Sequence, residues 1–285
     1  MNGSLGAVVQ WLLPQKLLGR IVYRLARSEI RWLKNLLIGG FRRIYAIDLS
    51  EAADPDPRAY LSFNAFFTRR LREDARPIAS GDDIVACPVD GRLTEFGRLD
   101  GATLLQAKGR HYTLEALLAE QPERLETLRG GSYMTIYLAP HNYHRVHAPL
   151  AGRLDRGRYI PGKRFSVNAR TAASIDNLYC RNERVALWLS TSIGDAVVVM
   201  IGALNVASLT TALTGEIASG PECLLLSSED PPALERGAEL GQFHLGSTVV
   251  MLFPRSTVEW DPALAPGQSV RMGQALGRTP GTTTS

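Results

Sequence analysis

Cysteine is scarce in this chain: Cys87, Cys180 and Cys223 are an odd number with no CxxC or CxxH spacing. That excludes a disulfide scaffold and a thiolate zinc site, and it fits a reducing compartment. Long apolar runs are missing as well. Stretches such as Ala196 to Ala203 are too short to span a bilayer, and the first ten residues hold no basic region of the kind that opens a secretory signal. The expectation is a chain that neither crosses a membrane nor is secreted. No GxGxxG or P-loop element occurs, so nucleotide-dependent chemistry has no support, and no repeat or heptad is present. What remains is the composition of a folded protein. With 285 residues, 45% of them hydrophobic and 21% charged, the chain is long enough for one large domain or a domain with an appendage.

The net charge of +4 conceals an asymmetry. Residues 1–45 hold eight basic residues against the single acid Glu29, a net of +7, while the other 240 residues carry 24 basic and 27 acidic side chains. Between Pro14 and Arg27, Leu17, Leu18, Ile21, Val22 and Leu25 recur at helical spacing with Lys16, Arg20, Arg24 and Arg27 opposite. A second helix is predicted from Ser28, a candidate N-cap, to the Gly39-Gly40 pair, with Trp32, Leu33, Leu36, Leu37 and Ile38 beside Arg31 and Lys34. Cationic and apolar faces together suit a helix lying in a membrane surface, where each basic group near anionic headgroups contributes about 1 kcal/mol. The competing reading is a helical pair packed on its own domain. A nucleic-acid arm ranks below both, since its face need not be so apolar.

Past Asp54-Pro55-Asp56-Pro57 a short helix is expected over about Leu61 to Arg72, and another over Thr113 to Leu118. The rest reads as short apolar strands punctuated by glycine: Ile84 to Cys87, Gly91 to Phe96, Tyr133 to Leu138, Ala186 to Ser192, Ala196 to Ala203, Gly215 to Ile217 and Ser247 to Phe253. The predicted class is α+β, a compact strand-rich core, barrel-like or two-layered, led by amphipathic helices. The expected division is a basic amphipathic head over residues 1–50 and one strand-rich domain over 51–285.

Three of the five histidines lie in Ala139-Pro140-His141-Asn142-Tyr143-His144-Arg145-Val146-His147. HxxHxxH lacks the glutamate of HExxH, and Pro140 and Pro149 oppose the continuous helix that would converge such ligands, so no metal is expected. As acid–base groups, His144 and His147 point to opposite faces of an ideal strand and serve one site only if the chain bends. Asp90 sits at an Asp-Gly turn in Pro88-Val89-Asp90-Gly91-Arg92. Gly246-Ser247 opens an apolar run and sets a hydroxyl beside an unshielded peptide carbonyl, without the GxSxG elbow of a hydrolase.

Taken together, Asp90 in PVDGR, the APHNYHRVHAP segment, PGKRFSVN (161–168), NERV (182–185) and LGST (245–248) resemble the bacterial phosphatidylserine decarboxylases over about Phe66 to Phe253. The resemblance implies a proenzyme that cuts itself between Gly246 and Ser247, with Ser247 attacking the Gly246 carbonyl, His147 as base and Asp90 stabilising the imidazolium. It implies a β chain of 1–246, an α chain of 247–285 held to it as a heterodimer, and a pyruvoyl group derived from Ser247 that forms a Schiff base with phosphatidylserine and accepts the electrons left by CO2. His144 is then the candidate for the decarboxylation step, and Ser166 and Asn168 for contacts to the substrate carboxylate or phosphate. A lipid substrate also favours docking of the basic helices on an anionic membrane, as a peripheral protein on the cytoplasmic side of the inner membrane. Two rivals use the same residues: a serine hydrolase, which predicts an uncut chain, and a non-enzymatic lipid-binding module, which predicts no effect of changing Ser247.

Overall fold

The computed structural model describes residues 15–203, 208–217, 220–227, 229–244 and 246–280. Pro14, Leu245 and residues 281–285 lie outside these, as do the side chains of Lys16, Leu17 and Leu18. Two helices lead the chain, Gln15–Ala26 and Arg31–Tyr45. The second begins later than Ser28, with Ile30 at the cap position and no side-chain cap, and runs through Gly39-Gly40 to a left-handed Ala46. Glycine costs a helix about 1 kcal/mol per residue. Packing outweighs that here, because the Phe41 ring lies 5.1, 6.4 and 5.9 Å from those of Phe63, Phe66 and Phe67.

These rings belong to a small core with Ala26, Ile38, Ile47 and Leu49, which seats the helices on the segment that follows them. The basic face is not wholly exposed. Lys34 is buried, and its ammonium donates to the carbonyls of Arg58 and Tyr60 at 2.6 Å each, a neutral cradle that periodicity could not reveal. Trp32, Leu36, Ile44 and Leu61 are left 65–75% exposed. The helix expected over 61–72 shortens to Phe63–Phe67, capped by Ser62 Oγ on the Ala65 N–H.

The main body is an open, antiparallel nine-stranded sheet. Its order is Leu224–Ser227, Gly152–Ile160, Arg184–Thr191, Gly194–Gly202, Ser247–Phe253, Ser132–Leu138, Gly91–Arg98 and Ser269–Val270, with Ala233–Leu234 also pairing on Gly152–Ile160. The two ends do not meet, so the barrel-like alternative is not formed and the α+β class stands. Ser247–Phe253 lies in the middle, buried at every position and paired along its length with Ser132–Leu138 on one side and Gly194–Gly202 on the other. Smaller sheets flank it: Ile84–Ala86, Ala275–Arg278 and Glu259–Trp260 form one, and Gly215–Ile217, Leu209–Thr211, Glu239–Phe243 and Arg145–His147 form a second.

Two features were hidden from periodicity. Gly152–Ile160 carries three arginines, two of which are accommodated by tertiary partners. Arg156 lies 4.2 Å over the Trp188 ring, and Arg156 and Arg158 both pair with the buried Glu120. The hairpin Thr103–Ala107/Arg110–Thr113 turns through Lys108 and Gly109, both at positive φ, the tight turn whose twist matches its strands.

Candidate active site

His147 ends the Arg145–His147 strand, and His144 lies just before that strand. The alternation that would send them to opposite faces therefore does not apply to the pair. His144 is fully buried, its ring 4.1 Å from that of Phe67, and Nδ1 is 2.8 Å from the Asn142 carbonyl. A carbonyl only accepts, so Nδ1 carries the proton and Nε2 is a bare lone pair, buried with no hydrogen-bond partner. Burial drives its pKa down to about 3, aided by Arg69 and His141 and opposed by the Asn142 carbonyl.

The same reasoning assigns His147. Nδ1 donates to the Gly237 carbonyl at 2.8 Å, which leaves Nε2 to accept from the Tyr143 hydroxyl at 3.3 Å. Burial lowers the pKa of this ring too, and pushes the Tyr143 phenol up to about 12, so Tyr143 stays a donor. The Asp90 turn is brought alongside, since the His147 N–H donates to the Pro88 carbonyl at 2.9 Å. The Asp90 carboxylate itself goes elsewhere: Arg76 forks onto it at 2.9 and 2.6 Å, and the Met272 N–H donates to it at 2.9 Å. Asp90 and His147 thus sit on neighbouring segments, with their hydrogen bonds running to Arg76 and Gly237.

Ser247 is fully buried at the head of the central strand, opposite Leu138 and Gly202, and its Oγ has no hydrogen-bond partner among the described residues. A buried hydroxyl left unpaired costs about 1–3 kcal/mol, so its retention asks for a chemical reason. Gly246 precedes it at φ +58°, a left-handed conformation that disfavours any residue with a Cβ.

Asn168 is exposed and spends its Oδ1 capping the Ala169–Ala172 helix, accepting from the Thr171 N–H and hydroxyl at 3.0 and 3.1 Å; Ser166 is half-buried. Phe165 beside them is tied to the central sheet by the fully buried Asn182. Asn182 accepts from the Phe165 N–H at 3.1 Å and donates to the carbonyls of Phe165 and Gly202 at 2.8 Å each. Gly202 is the register partner of Ser247, so one amide couples the 161–168 loop to the serine. Asn182→Ala unpairs these buried groups and is expected to cost about 2–4 kcal/mol of unfolding free energy, read from urea denaturation.

Sequence reasoning passed over Arg76, Tyr143, Gly237, Asn182 and His244. Tyr143 and Asn182 lay inside quoted motifs, whereas Arg76 and Gly237 carried no local signal. His244, buried two residues before the glycine, is held at both ring nitrogens, by Asn64 Oδ1 and Thr210 Oγ1 at 2.8 Å each, and burial lowers its pKa to about 4. Histidines held neutral in the folded state bind fewer protons than in the unfolded chain. Stability is therefore full above the unfolded value near 6.5 and falls as pH drops toward 4 and then 3. Each such histidine costs about 1.4 kcal/mol per pH unit within its window. The melting temperature is expected to decline steeply over that interval, and a flat profile would contradict it. Among the described residues, no group of three or more His, Cys, Asp or Glu is arranged to hold a metal ion.

Fold and site together describe a strand-rich α+β protein whose candidate serine, Ser247, is enclosed in its central sheet rather than displayed on an elbow. The phosphatidylserine decarboxylase family model matches residues 63–278, and a second model, described as PSD, matches residues 5–46. A relative from Nitrosococcus oceani named phosphatidylserine decarboxylase proenzyme is 44% identical over 276 residues, 95% of this chain and 90% of that protein. One of the same name from Ectopseudomonas mendocina is 43% identical over 97% of this chain and 99% of its own length. The chain belongs to the phosphatidylserine decarboxylase family.

Proposed function

We propose that this chain is made as a proenzyme, cuts itself between Gly246 and Ser247, and then decarboxylates phosphatidylserine to phosphatidylethanolamine. The observation that carries the reading is the Ser247 hydroxyl, fully buried and without a hydrogen-bond partner among the described residues, behind a left-handed glycine. No external ester reaches such a nucleophile in the uncut chain, which disfavours the hydrolase reading, whereas the adjacent Gly246 carbonyl is always present.

In the cleavage step Ser247 Oγ attacks the Gly246 carbonyl and its proton passes to His147, whose neutral ring keeps Nε2 as the accepting nitrogen. Asp90 stabilises the imidazolium through space. The peptide becomes an ester, and β-elimination releases the Gly246 carboxylate and leaves a dehydroalanine at 247. Tautomerisation and hydrolysis expel ammonia and complete the pyruvoyl group. The surroundings fit a small group of that size, since position 247 lies between Leu138 and Gly202 in the middle of the central sheet, buried while the chain is uncut. The pyruvoyl carbonyl supplies the electron sink that no standard side chain offers.

His144 is assigned to the decarboxylation step, as the side chain through which the proton released on Schiff-base formation reaches the carbon that loses CO2. Ser166 and Asn168 are assigned to the pocket rim. The products, a β chain of 1–246 and an α chain of 247–285, remain a heterodimer because the central strand is hydrogen-bonded on both sides.

Residues 1–50 serve as the membrane-surface segment and 51–285 as the catalytic domain. Among the described residues no helix is long and apolar enough to cross a membrane. The exposed Trp32 and Leu36 lie within the +7 segment, and an anionic membrane satisfies both features. The assigned location is the cytoplasmic face of the inner membrane, bound peripherally. Changing Trp32 and Leu36 together to Glu is expected to weaken co-sedimentation with phosphatidylserine vesicles about a hundredfold while leaving self-cleavage intact. Undiminished binding would remove these helices from the surface.

Intact-mass analysis tests the whole reading. Two fragments, the smaller beginning at a ketone-bearing residue that cyanoborohydride couples to phosphatidylserine, are expected. An uncut chain that still releases CO2 would overturn it.

A further inference from the structure

Beside the catalytic groups lies a cavity of about 180 Å³, large enough for a polyatomic ion rather than a single water. Its lining includes Asp90, Tyr143, which hydrogen-bonds His147, and Ala46, the residue that terminates the second basic helix. Three arginines reach it, and two are neutralised. Arg76 is paired with Asp90 and Glu51, and Arg271 with Glu51. The remaining acid, Asp48, accepts from the Ser50 N–H and hydroxyl, and it acts on Arg69 only through space, as Asp90 does, with no ion pair to it.

Arg69 is different. It is only 6% exposed, and among the described residues its buried Nε has no hydrogen-bond partner and its guanidinium no ion-paired carboxylate. Its guanidinium contacts are the His141 carbonyl, at 3.4 Å, and the Phe66 ring, 5.7 Å away. A buried guanidinium with no carboxylate of its own is costly, and burial depresses its pKa accordingly. Such a charge is relieved by an anion that enters the cavity and departs.

We propose that Arg69 anchors an oxyanion subsite that takes the phosphodiester of the lipid headgroup, an inference that rests on the decarboxylase reading above. Of the two anions on that headgroup, the phosphate is the better fit. A cation clamped on the serine carboxylate would stabilise the ground state and hinder its loss as CO2, whereas a grip on the phosphate survives unchanged through the reaction. The guanidinium fork suits phosphate oxygens. The cavity's lining also suits a lipid: it includes Ala46, where the second basic helix stops, and Tyr143, the hydrogen-bond partner of His147.

The test uses the full-length Ser247→Ala chain, which cannot mature, so binding is read independently of pyruvoyl chemistry. Calorimetric titration in phosphate-free buffer compares a soluble short-chain glycerophosphoserine diester with inorganic phosphate. The diester is expected to bind at least as well as inorganic phosphate. Arg69→Met is expected to weaken it about ten- to a hundredfold, and Arg69→Lys less, since the charge remains but the fork is lost. Folding of each variant is checked by circular dichroism and gel filtration, and if the Met variant misfolds the Lys variant decides. Three results overturn the proposal: a folded variant that titrates like the parent, no binding of either anion at millimolar concentration, or binding of inorganic phosphate with exclusion of the diester, which marks a free-phosphate site. Failure of the wild-type chain to cut itself would remove the decarboxylase reading without touching the anion titration. A chain that matures but does not bind the diester would remove the subsite alone.

Discussion

Ser247→Ala yields one uncut chain of 31.2 kDa and decarboxylation at background, where the wild type yields two fragments. The effect is all-or-none because the hydroxyl supplies both the attacking oxygen and the atoms that become the electrophile. No neighbouring residue substitutes: the preceding Gly246 has no side chain, and the following Thr248 hydroxyl, also buried without a partner, has Ser247 rather than Gly246 as its N-terminal peptide neighbour. The substitution removes one buried unpaired polar atom, so the folded state should be at least as stable as the wild type, about 1 kcal/mol or more above it. A raised or equal melting temperature together with lost cleavage separates chemistry from misfolding. Loss of cleavage with a markedly lowered melting temperature would leave that separation unmade, and cleavage at normal speed would eliminate Ser247 as the nucleophile. His147→Ala should also remain uncut. The rate of the wild-type reaction should be flat at neutral pH and fall in acid, since burial holds the ring in its basic form down below the usual histidine range.

His144→Ala separates the second reaction from the first. It is expected to cut itself into both chains and to carry the trapped ketone, yet to lose decarboxylation by about 10²–10⁴-fold, the usual contribution of a positioned proton donor or acceptor. The geometry makes the asymmetry specific. Nδ1 is committed to the Asn142 carbonyl, and the lone pair on Nε2 is buried without a protein partner, so the ring is available to a substrate proton. The cavity left against Phe67 costs some stability, and His144→Gln is the companion variant that retains bulk. Its expected failure to decarboxylate at normal yield of fragments tests the proton role apart from packing. Full activity in either variant would strip His144 of that role.

How much of this was legible beforehand depended on where each residue found its partners. The Ser247 to Phe253 strand was plain because a run of β-branched and apolar residues needs a two-sided core. The Gly152–Ile160 strand was not, since Glu120 and Trp188, which accommodate two of its arginines, are distant in sequence. The second helix was seen, but its passage through Gly39-Gly40 depends on aromatic rings twenty and more residues on. Of the site, Asp90, His144, His147 and Ser247 were all named from motifs. Their connections were not: Gly237 orients His147, Arg76 holds Asp90, and Asn182 joins the 161–168 loop to the partner of Ser247.

By itself the sequence determined the inventory: a basic amphipathic head, a glycine-punctuated α+β core, and a Gly-Ser bond preceded by clustered histidines. These are local properties of residue type and spacing. The tertiary structure decided which nitrogen of His144 and of His147 holds the proton, that Ser247 is sealed from water in the uncut chain, and that Arg69 lines a cavity without an ion pair among the described residues. Such states follow from burial and from partners far apart along the chain, and local pattern carries no record of either.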